Sequence, residues 1–508
     1  MRSAVVGVTV FAISLARSLA GGFGLTDEGW FLQIVNRLRS GDVLYRDVYV
    51  GVMPLSVYVT TALSWLTGVE ILAVKIVTNA AFALTVVVAD RLVRRAGATS
   101  AWAWALVGAL LILGRPYANP PYTPLSMTLF MATLAITLDL VGWGSPACPS
   151  RRNAAVEYWL TGVCAGLSFM AKQNVGLLAL AAALVGVLLA ATDRRRALLH
   201  DGLVVTGFAS AALLTLVPVI LGGGLPGLWD YTLAGKGSYV RLGGVAYTES
   251  LSRLIGQARR LPAPAAVMEL AHGLVLIIPI SVALAGAWRW RRIDSANRVL
   301  VVFAAAAVAT AFPRWDRFHM AYAVPVLLLT LVALFGRAPL SGGLARSAGR
   351  SSWLAAAALF GLAAVDPVMA IVGTDAMHSS RLPHFRGPMI AADTERRLAA
   401  STRAMIDAAE GPSMFVLGTD AGFWYLATGL RNPTPFDIPA KTSVGRTGTE
   451  SLLGRLSSGR LTPVCVANQR ELLGLTEVEA FIQRQMRKGP DVGPCTVYRS
   501  RSQNGESP

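Results

Sequence analysis

Charge is scarce in this chain, and negative charge scarcest of all. Only 15% of the 508 residues are charged, and 29 acidic residues stand against 46 basic ones, for a net charge of +17. A soluble globular protein carries about 25% charged residues. That shortfall excludes an ordinary soluble enzyme, as do a hydrophobic content of 54% and a mean hydropathy of +0.52. Cysteine is nearly absent: Cys148, Cys164, Cys465 and Cys495 are the four, with no C-x-x-C spacing of the metal-binding kind. The basic surplus forms no nucleic-acid patch. Residues 373–508 hold 16 Lys and Arg against 13 Asp and Glu, so nearly all of the excess lies in residues 1–372, scattered among short loops between apolar runs. Such scatter sets membrane topology.

Apolar runs of about 20 residues read as spanning helices. Eleven are present, at 3–20, 70–89, 101–114, 123–142, 155–171, 174–191, 202–222, 265–287, 297–312, 319–336 and 351–371. Every second loop is basic: Arg91, Arg94 and Arg95; Arg151 and Arg152; Arg194, Arg195 and Arg196; Arg289, Arg291 and Arg292; Arg337, Arg346 and Arg350. The positive-inside rule makes this set cytoplasmic and puts residues 373–508 outside. Residues 1–20 also fit a signal peptide ending Ser18-Leu19-Ala20, which leaves Asp27 outside either way. Val52–Leu66 is apolar but short and contains Pro54, and counting it as a span breaks the charge alternation; it reads as an interfacial or re-entrant helix in the first outer loop.

The outer loops then share an unusual cargo. Thr26-Asp27-Glu28-Gly29-Trp30 places two adjacent carboxylates where the chain leaves the bilayer. The same side gathers Tyr45-Arg46-Asp47, Arg115-Pro116-Tyr117, Lys172-Gln173-Asn174, the long loop 223–264, and Pro313-Arg314-Trp315-Asp316-Arg317-Phe318-His319. Outer turns are expected to be poor in Lys and Arg, yet Lys172, Arg314, Arg317 and His319 sit in very short ones. Cations held at that depth suit a lipid-linked phosphate or pyrophosphate, and a nearby carboxylate suits a general base on a hydroxyl. Plainer accounts stand beside these. The acidic pair is also what a loop start or a helix N-terminus carries, Lys172 also fits a snorkelling hairpin cap, Arg314, Asp316 and Arg317 a structural ion cluster, and His319 a bond to a backbone carbonyl. Lys75, Asp139 and Asp366 lie within or near span ends and are left out of the candidate site.

With these residues in order, the chain resembles the C-type glycosyltransferases, polytopic enzymes that use polyprenyl-phosphate sugars, in the branch of the protein O-mannosyltransferases and the lipid A aminoarabinose transferase. Four pieces within residues 1–336 carry the likeness: Thr26–Phe31; Tyr45-Arg46-Asp47 followed by Met53–Tyr58; Met170–Leu177; and Pro313–His319. The family usually shows two prolines where this chain has Met53-Pro54. The resemblance implies an all-α membrane bundle with juxtamembrane helices and an inverting transfer to a hydroxyl of a glycan, lipid or protein at the outer face of a bacterial plasma membrane. By it, Asp27 is the catalytic base and Glu28 its support. Lys172, Arg314, Arg317 and His319 hold the departing lipid phosphate, and Tyr45, Arg46, Asp47 and Asp316 are supporting or acceptor-side residues. Some members use a divalent ion and others none; Asp27 with Asp316 or Asp47 is the oxygen-rich pair such an ion would take.

Residues 373–508 read as a separate, soluble α/β domain outside the membrane. Strands are expected at Ser413–Gly418, Thr462–Ala467 and Cys495–Tyr498, and a helix at Asp420–Thr428. A second helix should start at Thr476, whose spacing to Glu479 fits a capping box, and run to about Lys488. Cys465 and Cys495 would lie on two of those strands, close enough in kind for a disulfide in an oxidising compartment. Two other functions remain open: a transporter or flippase of a lipid-linked saccharide, which should carry its polar residues near the midplane, and a silent scaffold, which predicts Asp27 to be dispensable.

Overall fold

The computed structural model describes residues 1–113, 120–143, 154–191, 193–260, 263–335, parts of 354–363, 377–409, 411–467 and 474–501. Arg115–Tyr117, Cys148, Arg151, Arg152, Asp366 and the basic loop after residue 335 lie outside them.

The chain is a polytopic helical membrane bundle with a small α/β region at its C-terminal end. The helices are α1 (Arg2–Ala20), α2 (Asp27–Arg39), α3 (Leu55–Thr67), α4 (Ile71–Arg95), α5 (Ser100–Leu113), α6 (Tyr122–Leu140), α7 (Ala154–Ala171), α8 (Gln173–Ala190) and α9 (Arg194–Leu221). After them come the short α10 (Leu225–Gly227), a π-helical turn Leu228–Ala234, α11 (Lys236–Gly243), α12 (Tyr247–Ala258), α13 (Ala263–Arg289), α14 (Ser295–Ala309), α15 (Arg317–Met320) and α16 (Val324–Phe335). Among the described residues seven helices are long and apolar enough to cross a bilayer, and α5, α14 and the Gly273–Arg289 part of α13 are shorter apolar helices at expected spans. Ten of the eleven apolar runs are thus helices at nearly their expected bounds. The eleventh, 351–371, is helical at its described residues 354, 357–361 and 363.

Within lipid the usual hydrophobic drive between helices is missing, so small residues that let backbones approach do the work. Gly162 and Gly166 of α7 face Val204 and Phe208 of α9, and Gly207 of α9 faces Trp159; any Cβ at these glycines would overlap the opposing backbone. At the end away from Asp27, buried Asp90 accepts from Arg2 at 3.1 Å and Arg94 at 3.0 Å, which ties α1 to α4.

Val52–Leu66, expected as an interfacial or re-entrant helix rather than a span, holds most of the 13-residue α3, too short to span. It follows α2, so the first loop carries two short helices.

In the C-terminal region β1 (Met377–Ser379) pairs antiparallel with β2 (Met389–Ala391). A four-stranded sheet has the order β3-β4-β6-β5, with β3 (Phe415–Leu417) parallel to β4 (Val464–Ala467) and the pairs to β6 (Cys495–Ser500) and β5 (Met486–Asp491) antiparallel. Around it lie α17 (Ala392–Ala409), α18 (Ala421–Thr428), α19 (Gly448–Ser457) and α20 (Thr476–Gln485). The three expected strands and the helix at 420–428 are present. Helix α20 ends at Gln485 rather than near Lys488, because Met486–Asp491 leaves to pair with β6. Its N-cap is Leu475, so Thr476 and Glu479 make no capping box. Cys465 on β4 and Cys495 on β6 form a disulfide, with Cα atoms 5.5 Å apart.

Among the described residues the buried apolar side chains fall into three clusters, one of them within the C-terminal region. Another fills the bundle, from α1 and α4 through α16. The third is shared: Trp30, Phe31, Tyr45 and Val50 of the first loop pack with Phe385, Phe423, Trp424 and Val416 of the C-terminal region. Where α2 crosses α18, a Cβ on Gly29 would sit 2.9 Å from Phe423 Cβ, and one on Gly422 would sit 2.5 Å from Trp30 Cα. The two helices therefore touch through backbone.

Candidate active site

Asp27 and Glu28 occupy the first turn of α2, after Thr26 at the N-cap. Carboxylates are favoured there, where unpaired N–H groups and the helix dipole present partial positive charge. The two then part company. Glu28 is buried; its Oε1 lies 3.0 Å from Lys75 Nζ on α4 and its Oε2 accepts the Gly24 amide at 2.7 Å. Burial raises its pKa, against the pull of Lys75 and Gly24. Lys75, only 1% exposed, also donates to Ser18 Oγ at 3.3 Å. Asp27 remains open to solvent at its surface, yet is crowded by protein on its other sides. Desolvation raises its pKa, and the charges of Arg314 and His319 oppose that rise.

Arg314 and His319 come from a turn fixed on both sides. Val245 donates its amide to Pro313 O at 3.1 Å and accepts from the Trp315 amide at 3.0 Å, pinning the turn to the long 223–264 loop. Asp316 caps α15: its Oδ1 accepts the His319 amide at 3.0 Å and contacts His319 Nδ1 at 2.8 Å, while its Oδ2 is 3.3 Å from Arg314 Nε. Burial pushes the Asp316 pKa up, but the His319 bonds and Arg314 outweigh it and hold the carboxyl below its usual range. Tyr239 hydrogen-bonds Arg314 and feels Asp27. Tyr122, at the start of α6, lies within electrostatic reach of both Asp27 and Arg314.

Lys172 is reached through that tyrosine. It stands between α7 and α8, its Nζ 5.9 Å from the Tyr122 ring centroid, and donates to Thr123 Oγ1 at 3.2 Å. Its neighbours tie the turn down: Gln173 donates to Thr232 O at 3.2 Å, and Asn174 to Thr310 O at 2.8 Å, just before the Arg314 turn. Asp27, Lys172, Arg314, His319 and Asp316, spread over almost 300 residues of sequence, are thus brought to one neighbourhood. The Arg317 guanidinium lies over Phe318, 5.0 Å from the ring centroid, and lines a cavity with α12 and with Arg314 and Asp316 of the same turn.

Tyr45, Arg46 and Asp47 do not join this group. Tyr45, at φ 64° and 1% exposed, donates to Val52 O at 2.6 Å. Asp47 pairs with Arg46 at 2.7 Å and accepts the Val43 amide at 2.8 Å; the Arg46 bond lowers its pKa. The three shape the loop that carries α3. Among the described residues no three His, Cys, Asp or Glu gather to hold a metal ion. With Asp47 elsewhere and Asp316 engaged by His319 and Arg314, the donor set does not fit a divalent cation.

Sequence reading missed Lys75, Tyr122 and Tyr239. Lys75 carried a signal, a lone intramembrane cation, but its place near a span end made it look like a boundary residue. The tyrosines carried none.

No protein-family profile matches the chain, and no curated protein matches it in sequence. Solved structures do. The lipid A aminoarabinose transferase ArnT from Cupriavidus metallidurans, bound to undecaprenyl phosphate, aligns at 14% identity over 97% of this chain and 97% of that one, with a TM-score of 0.60. The oligosaccharyltransferase AglB from Archaeoglobus fulgidus, in complex with an inhibitory peptide and a dolichol-phosphate, aligns at 11% identity over 99% of this chain and 75% of that one, with a TM-score of 0.52. Both are C-type glycosyltransferases, and the chain has their fold.

Proposed function

We propose that this protein is an inverting glycosyltransferase that moves a sugar from a polyprenyl-phosphate donor to a hydroxyl of a glycan, lipid or protein. The observation that carries the reading is an accessible carboxylate, Asp27, within electrostatic reach of Arg314 and His319. In this reading Asp27 takes the acceptor proton as the hydroxyl oxygen attacks the anomeric carbon, and its raised pKa makes it a stronger base than a surface aspartate. The bond from the anomeric carbon to the phosphate oxygen breaks, and Lys172, Arg314 and His319 stabilise the charge that grows on the departing phosphate. Arg317, from the same turn, joins them in this reading. Glu28, locked to Lys75, holds the first turn of α2 and so keeps Asp27 in place. Undecaprenyl phosphate on ArnT and dolichol-phosphate on AglB support a lipid phosphate as the carrier.

The charge alternation supports an extracytoplasmic site in a bacterial plasma membrane, with residues 373–508 as a domain on that side. The test is transfer from polyprenyl-phosphate sugars by purified wild type and Asp27→Asn, with donor binding measured alongside. General bases contribute roughly 10²–10⁴-fold, so transfer should fall by that factor while donor binding survives. Wild-type transfer by the variant would remove Asp27 from the mechanism.

A further inference from the structure

A cavity of about 400 Å³ opens at one end of the C-terminal sheet, and no residue of the Asp27 group touches it. It lies where α19 and α20 end, between the entry to β4 and the paired residues Met486 of β5 and Ser500 of β6. Because β3 and β4 run parallel, this is the end at which β3 begins. Strand β3 hands over to α18, and so to the crossing with α2, at the opposite end.

The chemistry of the cavity is two-sided. Leu456, Leu461 and Met486, all buried, give it an apolar wall, and the half-buried Phe481 adds an aromatic ring. The rest is polar and uses groups that both donate and accept. Ser457 Oγ donates to Gly454 O at 3.0 Å, which leaves its lone pairs to accept. Thr462 Oγ1 accepts the Ser500 amide at 3.3 Å, which leaves its hydrogen to donate. The Gln485 carboxamide, on an exposed residue, can do both. One full charge is present, the exposed Arg501, and among the described residues no acidic side chain lines the cavity.

Size and chemistry together narrow the occupant. A water takes about 30 Å³ in the liquid, so the space is several times too large for a lone phosphate or carboxylate. It falls within the range of small-molecule sites, about 300–1,000 Å³. Its occupant needs an apolar face for Phe481, hydroxyls that donate and accept as the wall does, and one negative charge for Arg501. A pyranose ring bearing a carboxylate has all three, since its C–H bonds gather on a face and its hydroxyls ring the edge. A peptide would instead be read through its backbone on a free strand edge, and the strand residues that line this cavity are paired with each other.

We propose that this cavity is a saccharide site that binds an acidic pyranoside, with Phe481 against the ring, Ser457, Thr462 and Gln485 on its hydroxyls and Arg501 on its carboxylate. No bond is made or broken there. Placed at the far end of the sheet from the α2 crossing, the site holds a saccharide to the C-terminal region and needs nothing from the Asp27 chemistry.

The test is a titration of the purified full-length protein, in a detergent without a sugar headgroup, followed by saturation-transfer NMR. The probes are methyl glucuronide, methyl glucoside and acetylated leucyl-alanine, which carries one free carboxylate. Saturable binding of the glucuronide is expected, tighter than that of the glucoside by roughly tenfold or more, the worth of a charge-assisted hydrogen bond. Arg501→Gln should abolish that difference and leave glucoside binding as it was. Gln485→Ala should weaken both severalfold at unchanged Tm, because its carboxamide is on an exposed residue. The proposal falls if neither saccharide binds, if both variants bind like wild type, or if the peptide binds as tightly as the glucuronide, which would make this a peptide site. Glucuronide binding that survives Arg501→Gln unchanged but is lost in Lys172→Gln would belong to the Asp27 group and would equally overturn it.

Discussion

Two clusters of charge join the first loop to the rest of the molecule, and they are built oppositely. Around Arg37, on the far half of α2, nearly everything is closed. Its Nε meets Asp42 at 2.7 Å, Nη1 reaches Thr434 O at 3.0 Å and Asp437 at 3.4 Å, and Nη2 donates to Asp47 O at 2.6 Å. Asp437 is fully buried and also accepts from Asn432 at 2.8 Å. Around Asp27, at the near end of the same helix, the carboxylate is exposed and within electrostatic reach of Arg314 and His319, and Arg314 leaves its Nε without an aligned acceptor. A buried cluster with its valences filled has no capacity left for a ligand, and its worth is in holding elements together. An open one is unsatisfied until something enters. The contrast separates scaffold from site more sharply than residue type does, since both clusters contain the same kinds of side chain.

Breaking the closed cluster should have the largest effect on stability. Asp437→Ala removes the buried counter-charge of Arg37 and leaves only the partly exposed Asp42 to balance it, and loss of one partner of a buried pair costs up to about 3–5 kcal/mol. A marked fall in Tm of the detergent-solubilised protein checks this; an unchanged Tm would mean that water reaches the cluster. The open cluster should respond in pH rather than in stability. Transfer needs Asp27 ionised, so the rate falls as pH drops through its pKa, and burial places that limb above the range of an ordinary aspartate, near 3.9. Arg314 favours the ionised form, so Arg314→Gln should move the acid limb of the rate–pH profile to higher pH. A limb that stays put, or moves down, would detach Arg314 from Asp27. The smallest effect is expected at Asp47→Asn. The Arg46–Asp47 pair is partly exposed, where such pairs contribute little, and an amide oxygen at position 47 can still accept the Val43 N–H. Tm and transfer should both match wild type, and a large loss of transfer would return Asp47 to the site.

Much of the bundle was legible because one signal, apolar length, is local and strong. Runs such as 174–191 and 202–222 needed no knowledge of their partners, and they are helices Gln173–Ala190 and Arg194–Leu221. The acidic pair and the Lys172 and Arg314 turns were legible as departures, being charges where a loop rule expects few. What stayed hidden depends on distant pairing. Arg37 and Asp437 are 400 residues apart, and each looks like an ordinary surface charge in sequence. Helix α20 was read past its end because Met486-Arg487-Lys488 has no helix breaker, and only pairing with β6 draws it into a strand. Helices α17 and α19 went unread for want of a clear stop or start. The different fates of Asp27 and Glu28 could not be told apart, since which of two neighbours turns inward depends on Lys75 being opposite.

The crossing at Gly29 and Gly422 has a mechanical consequence. Side chains between helices act as springs, changing rotamer to absorb small displacements; here backbone meets backbone and no spring is fitted. Gly29 is two residues from Asp27, and Gly422 opens a helix that follows the β3 strand. A shift of the C-terminal sheet would therefore be passed directly to the start of α2, so the placement of Asp27 is set as much from residues 415–428 as from the membrane beneath it.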